Sequence, residues 1–227
     1  MKFIEALQGT PEWLQARAGA ITASRFADAV SVLKRASGDK KPGDPTAAAE
    51  KYAGDVAIER ISGKPYGKPL KTWEVERGHI MEAAARVAYE VRYGITALES
   101  GIVKTDDDWF GYSTDGLVDD DGMIEIKCPV ASDKILAMFQ TGDTSEYDYQ
   151  IQGGLWITRR EWCDFIMYVP DLASVGNDLY VKRIYRNEEF IAKLESDLIL
   201  FRTNVQLVEA IFRRPLAANA DLLKAAA

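Results

Sequence analysis

The sequence predicts a mixed α/β domain with a central β-sheet flanked by helices, and three observations predict it. Between Trp73 and Tyr93 the residues Ile80, Ala84, Val87 and Val91 recur at i, i+4, i+7 and i+11, the spacing of one face of a helix. From 96 to 128 the pattern changes to period two, with Asp-Gly pairs at 115–116 and 121–122, as in a small antiparallel meander. Two strand-like runs, about 162–169 and 178–186, then follow two further helical stretches.

Taken in order, Thr10-Pro11-Glu12 supplies an N-cap, an N1 proline and an early acid, so a helix runs from there through Trp13 and Leu14 to a stop at Gly19. A second helix is expected from Thr22. Residues 36–45 mix Gly, Pro, Asp and Lys without periodicity and read as a mobile solvent loop. Thr46 caps a helix that ends at Gly63, and Gly94 sits where the C′ glycine of the long 73–93 helix belongs. Helices are expected at about 132–140 and 146–159. Asn187-Glu188-Glu189 opens a last long helix to about Arg213, and the Ala-rich tail from Leu216 to Ala227 is helical or frayed.

At 227 residues, with 47% hydrophobic and 28% charged residues, the chain is long enough to bury a full core, and residues 1–227 are read as one domain. No apolar run approaches the roughly 20 residues that span a bilayer, and Glu5 and Gln8 interrupt any leader-like segment, so a cytoplasmic protein without a membrane partner is expected. Two cysteines, Cys128 and Cys163, in unlike contexts argue against a disulfide scaffold, a zinc site or an iron–sulfur cluster. A net charge of −7 excludes a protein that coats DNA by bulk attraction, because that mode needs clustered Lys and Arg. Basic residues are nevertheless localised: Lys34, Arg35, Lys40 and Lys41 flank one loop and Lys64, Lys68 and Lys71 another, while acids concentrate at 106–121.

In the run Gly122 to Pro129, alternation puts Met123, Glu125 and Lys127 on one face of a strand and Ile124, Ile126 and Cys128 on the other. Asp115 ends the preceding strand, where adjacent pairing brings its carboxylate beside Glu125. Two carboxylates and a backbone carbonyl suffice for Mg²⁺, which keeps several of its waters. A neighbouring lysine can orient an attacking water and offset the charge of a pentacovalent phosphorus. An Asp followed about ten residues later by Glu-X-Lys is the PD-(D/E)XK nuclease signature. The alternative is a turn-forming Asp-Gly and a solvated same-face Glu–Lys pair. Glu82 lies close to the apolar side of the long helix, either as a further ligand or as the i,i+4 partner of Arg86. His79 reads as an exposed residue, and Trp13 and Trp156 as core.

The chain resembles the lambda-exonuclease and YqaJ-type viral recombinase family. The resemblance rests on Trp13-Leu14-Gln15-Ala16-Arg17 with Gly19-Ala20-Ile21-Thr22-Ala23-Ser24, on Gly78-His79-Ile80-Met81-Glu82, on Ser113-Thr114-Asp115-Gly116-Leu117, on Glu125-Ile126-Lys127-Cys128-Pro129, and on Tyr149-Gln150-Ile151-Gln152 with Leu155-Trp156-Ile157-Thr158. These segments occur in family order over residues 13–158. The C-terminal third matches only in its pattern of strands and a final helix.

The resemblance implies a PD-(D/E)XK, restriction-endonuclease-like fold and a 5′-to-3′ exonuclease acting on linear double-stranded DNA. It implies Mg²⁺, with Mn²⁺ as the alternative ion, held by Asp115, Glu125 and the backbone carbonyl of Ile126, and a second metal position completed by Glu82. Lys127 would assist the water, and Gln150 would stand near the reacting phosphate, although Gln152 is an equally good amide two residues on. Arg17, Thr22, Ser24 and Ser113 would hold a terminal 5′-phosphate. The family further implies a single-strand annealing protein as partner and a homotrimeric ring. Rival readings are a restriction-type endonuclease, a catalytically silent DNA-end binder or annealing-protein adaptor of the same fold, and a structural acidic domain with a surface cation.

Overall fold

The computed structural model describes residues 1–67 and 73–215, without the side chains of residues 74–76 and 79. The Ala-rich tail, Lys68, Lys71 and the His79 side chain, on which expectations were placed above, lie outside the described residues.

The chain opens with β1 (Lys2–Ile4) and α1 (Pro11–Arg17), the latter capped by Thr10, whose hydroxyl oxygen accepts from the Trp13 N–H. Gly19 follows at φ +74° and turns the chain into β2 (Ile21–Thr22). The helix expected at Thr22 is only a 3₁₀ turn at Ala23–Arg25 and the single-turn α2 (Phe26–Ala29). Residues 36–45 are not a featureless loop: bridges Val32↔Pro45 and Ser37↔Lys40 fold them back on themselves. Thr46 caps α3 (Ala47–Ser62), which ends on Gly63 in the left-handed region.

Helix α4 (Trp73–Tyr93) leads into β3 (Ala97–Leu98), β4 (Ile102–Lys104), β5 (Phe110–Ser113), β6 (Gly116–Val118) and β7 (Gly122–Lys127). The rest comprises α5 (Ser132–Thr141), α6 (Asp148–Thr158), β8 (Trp162–Tyr168), β9 (Leu179–Tyr185) and α7 (Glu188–Phe212).

The expected single sheet is two. A four-stranded sheet has the order β1-β4-β5-β2 and a five-stranded sheet the order β3-β6-β7-β8-β9. Of the two Asp-Gly pairs, 121–122 closes the β6–β7 hairpin, whereas 115–116 is the point where the chain leaves one sheet for the other. Buried Thr114 pins this corner, its hydroxyl lying 2.9 Å from the Gly116 carbonyl and 3.1 Å from that of Ile124.

Strand β7 divides the core as alternation requires. Met123 faces a cluster with Phe26, Tyr112, Ile151, Leu155 and Phe165 under α6, while Ile124 and Ile126 face Ala85 and Tyr89 of α4. This corrects the expected face of α4. Ile80, Val87 and Val91 are 73%, 55% and 80% exposed, and the buried positions are Ala85 and Tyr89. The inner face is fixed by polarity as well as by packing: the Tyr89 hydroxyl donates to Asp164 at 2.6 Å, and Arg183 donates twice to the same carboxylate at 2.8 Å while stacking on Trp162. Trp13 and Trp156 pack into the interior, as expected; Trp156 meets Phe26 and Phe110.

Two glycines set the approach of α6. A Cβ on Gly153 would stand 2.5 Å from the Phe26 ring, and one on Gly154 would stand 2.7 Å from the ring of Tyr112. The helix thus packs backbone against ring.

The Asp164 network yields a stability prediction. Asp164→Ala should cost about 3 kcal/mol in urea unfolding, because it strands a buried hydroxyl and a guanidinium, and Tyr89→Phe about 1–2 kcal/mol. Two wild-type-like midpoints would show that the network does not hold α4.

Candidate active site

The site is built where the two sheets meet. Pairing of Gly116 with Ile124 puts Asp115, one residue earlier, level with Glu125 on the neighbouring strand. An Asp115 carboxylate oxygen accepts the Ile126 N–H at 2.6 Å, so the acid is oriented by the strand it faces. Arg86 of α4 donates to the Asp115 carbonyl at 3.2 Å and pairs with Glu99 at 3.1 Å.

Glu125 is 2% exposed and is met by donors from three elements. The Lys127 ammonium lies 2.6 Å and the Gln150 amide 2.5 Å from Oε1, and the Tyr112 hydroxyl lies 2.7 Å from Oε2. Burial opposes the charge on Lys127, but Glu125 and Asp115 outweigh it and hold the ammonium above its ordinary value. Lys127 is therefore a donor here rather than a base. Its Nζ also lies 5.6 Å from the ring centroid of Tyr147, which stacks on Phe165.

Asp115 is pushed well above the usual carboxylate range, first by burial and then by the negative charges of Glu125 and Glu82. Glu82 thus acts on this site from α4, on the opposite face of the sheet, and its Oε1 passes the bare α-carbon side of Gly78. Glu125 and Glu82 thus both act on Asp115 beside the ammonium of Lys127, and these carboxylates offer the charge and the hard oxygens that a divalent cation requires. Among the described residues no three His, Cys, Asp or Glu side chains form a complete cage, so a bound ion would draw on the backbone and on water.

The ambiguity between the two amides is resolved by their contacts. Gln152 donates to the Tyr185 carbonyl at 2.9 Å and accepts the Asn187 N–H at 2.9 Å, tying α6 to the start of α7, while Gln150 faces Glu125. Tyr112 and Tyr147 were missed in the sequence because strand alternation and aromaticity mark both as ordinary core.

A second cluster lies beside β5. Arg17 donates to the hydroxyls of Thr22 at 2.9 Å and Ser24 at 3.1 Å and packs over the Trp13 ring at 5.1 Å. Trp13 in turn donates to the Ser113 hydroxyl at 2.8 Å, which leaves that hydroxyl its own proton to give. Burial lowers Arg17 from its usual value, and among the described residues no carboxylate pairs with it. A desolvated cation ringed by neutral hydroxyls is suited to an anion. The Thr22 N–H is taken by the Tyr52 hydroxyl at 2.9 Å, and the helical segments that follow are a turn each.

The profile of the YqaJ-like viral recombinase domain matches residues 12–161. The crystal structure of an alkaline exonuclease, LHK-Exo, from Laribacter hongkongensis is 30% identical, with a TM-score of 0.74 over 90% of this chain and 97% of that one. The same exonuclease in complex with dAMP superposes with a TM-score of 0.77 at the same coverage. A phage-related exonuclease from Haemophilus somnus, 18% identical, shares the fold with a TM-score of 0.61 over 85% of this chain and 96% of that one. No curated protein matches in sequence.

The raised Asp115 makes a signed prediction. The folded chain holds this proton more tightly than the unfolded chain, so the contribution to stability is present at low pH and is lost as pH rises from about 4 through the folded value. At neutral pH in chelator, Asp115→Asn should therefore melt above the parent. Added Mg²⁺ should raise the parent and leave the variant unmoved. A variant that melts lower in chelator would contradict the crowding of charge at this site.

Proposed function

We propose that this chain, which belongs to the YqaJ-like viral recombinase domain family, digests linear double-stranded DNA from 5′-phosphorylated ends in the 5′-to-3′ direction. The family and the alkaline exonuclease structures support a recombination-related exonuclease. The observation that carries the reading is the convergence of Asp115, Glu125, Lys127 and Gln150 at one seam, with Arg17, Thr22 and Ser24 gathered as a neighbouring anion pocket. The relative bound to dAMP supports a deoxynucleoside monophosphate as product.

Asp115, Glu125 and the carbonyl of Ile126 would hold Mg²⁺, with Mn²⁺ as the alternative and Glu82 serving a second position. Bound there, the ion would supply Lewis-acid stabilisation of negative charge on the phosphodiester. The chain's own groups do the rest. Lys127, kept protonated by Glu125 and Asp115, orients the attacking water and donates to the phosphorane oxygens. The water gives its proton to solvent as its oxygen bonds phosphorus, while the bond to the 3′-oxygen breaks and that oxygen takes a proton from solvent. Gln150 fixes one oxygen of Glu125 and Tyr112 the other, so the carboxylate cannot rotate away from the substrate. Arg17 with the three hydroxyls takes the terminal phosphate and sets which phosphodiester lies over Glu125. Removing 5′-mononucleotides in this way leaves 3′ single strands, the substrate of a single-strand annealing partner.

Activity should depend on a divalent cation and be lost in Asp115→Ala, Glu125→Ala and Lys127→Ala, with DNA binding largely retained, because these groups act on the transition state. Normal turnover by purified Glu125→Ala would end the assignment. Ends bearing a 5′-phosphate should be digested tens-fold faster than 5′-hydroxyl ends, and Arg17→Ala should remove most of this preference, as expected for a charge-assisted contact of about 2 kcal/mol.

A subunit of charge −7 gains little overall attraction to a polyanion. Topological enclosure by a closed head-to-tail ring would keep it on DNA between steps, and a homotrimer is the form we propose. Light scattering at micromolar concentration should give about three times the 25.2 kDa subunit mass. A monomer that dissociates after each cut would remove the ring and leave the site.

A further inference from the structure

We propose that Glu59 and Arg60, adjacent residues on α3, are positioning residues that set the geometry of the anion pocket by holding the two peptide units on either side of Gly19. The inference rests on the reading of the Arg17 cluster as the 5′-phosphate site. Neither residue bonds to a side chain of that cluster or of the carboxylate site, although the charge of Glu59 acts on Arg17.

Gly19 sits in the link between Arg17, the last residue of α1, and Thr22, the last of β2. Its N–H donates to Glu59 Oε2 at 2.8 Å, and its carbonyl accepts from Arg60 Nη1 at 3.0 Å. These two groups belong to the successive peptide units before and after Gly19, which turn independently about its α-carbon when only one is held. With both held, by two charged side chains from one turn of a helix, the backbone angles of Gly19 are fixed.

The two grips are themselves braced. Glu59 spends its other oxygen on the Tyr66 N–H at 3.0 Å. Arg60 lies over the Trp109 ring with its guanidinium 3.4 Å from the centroid, and its Nε donates to Glu209 of α7 at 2.9 Å. Trp109 in turn accepts the Ile21 N–H on its carbonyl at 2.8 Å, so the ring that supports Arg60 belongs to the residue that registers β2. A Cβ at Gly19 would lie 3.0 Å from Arg60 Cγ, and the residue's φ of +74° disfavours any side chain.

All of this converges on a link only a few residues long, with the phosphate-facing groups at its two ends. Arg17 leaves from one side of the gripped residue, and Thr22 and Ser24 from the other. The separation of the guanidinium from the hydroxyls is therefore set by α3 and, through Glu209, by the C-terminal helix. Arg60 is the α3 residue that bonds both Gly19 and Glu209.

The test is discrimination between 5′-phosphate and 5′-hydroxyl ends on otherwise identical linear duplexes, measured as kcat and KM for the full chain. Arg60→Ala should raise KM for phosphorylated ends far more than for hydroxyl ends, collapsing a tens-fold preference to about threefold or less, the scale of loss that a small misplacement of binding groups produces. Arg60→Lys should not restore the preference, because an ammonium cannot bond Gly19 and Glu209 together while stacking on Trp109. Glu59→Gln, which is isosteric, should fold as the parent does and lose part of the preference. In the Arg17→Ala background, adding Arg60→Ala should leave the ratio where it is, since Arg60 acts through that pocket.

Equal losses on both kinds of end, or a preference kept in folded Arg60→Ala and Glu59→Gln, would overturn the clamp and leave the phosphate reading intact. A parent enzyme with no preference would remove the phosphate reading and the clamp with it.

Discussion

A buried carboxylate costs several kcal/mol unless donors meet it, and Glu125, 2% exposed, imposes that requirement on everything around it. Tyr112 comes from the four-stranded sheet, Lys127 from the five-stranded sheet and Gln150 from α6. No two of them share an element, so satisfying one side chain fixes the relation of three. The seam at Thr114–Asp115 then has one outcome, which is to set a second acid level with the first. The architecture at this seam rests on the same hydrogen bonds, and the repulsion of Asp115 by Glu125 and Glu82 is what the fold carries in return.

The residues of the site were legible to different degrees, for identifiable reasons. Asp115, Glu125 and Lys127 could be read because strand alternation and hairpin register are local rules. Gln150 could not be told from Gln152, since both lie on one helix and only the partners, Glu125 against Tyr185 and Asn187, separate them. The orientation of α4 was misread because the inner face of this helix carries Glu82, Ala85 and Tyr89. A carboxylate and a buried hydrogen bond dilute its hydrophobicity, so the outer stripe of Ile80, Val87 and Val91 has the stronger period. The division into two sheets was hidden by Asp115-Gly116, which has the composition of a hairpin turn and makes a crossing instead. Pairings such as Glu59 and Arg60 with Gly19 join residues about forty positions apart and leave no trace in any local pattern.

The acidic bias of residues 106–121 also takes on a simpler meaning. Asp106, Asp107 and Asp108 pair with the N-terminal amine, Arg202 and Lys2, and the Asp119–Asp121 turn is held by Arg160 on its carbonyls. These acids lie at hairpin turns, apart from the pair formed by Asp115 and Glu125. Net charge is therefore a poor guide to the local field around the chain, since these acids are matched by cations while Arg17 hydrogen-bonds only to hydroxyls among the described residues.

The contact of Gly153 and Gly154 with the rings of Phe26 and Tyr112 makes α6 a spacer of fixed thickness. Side chains that interdigitate can change rotamer and share out a small displacement; main chain against an aromatic face cannot. The alignment of Gln150 and Tyr112 on Glu125 is in this sense machined rather than sprung. An assembly without compliance performs well while its parts stay seated and has no graceful decline. Warming that only loosens the seat of α6, well short of melting any helix, would take the site out of alignment, so working temperature is limited by fit before it is limited by folding.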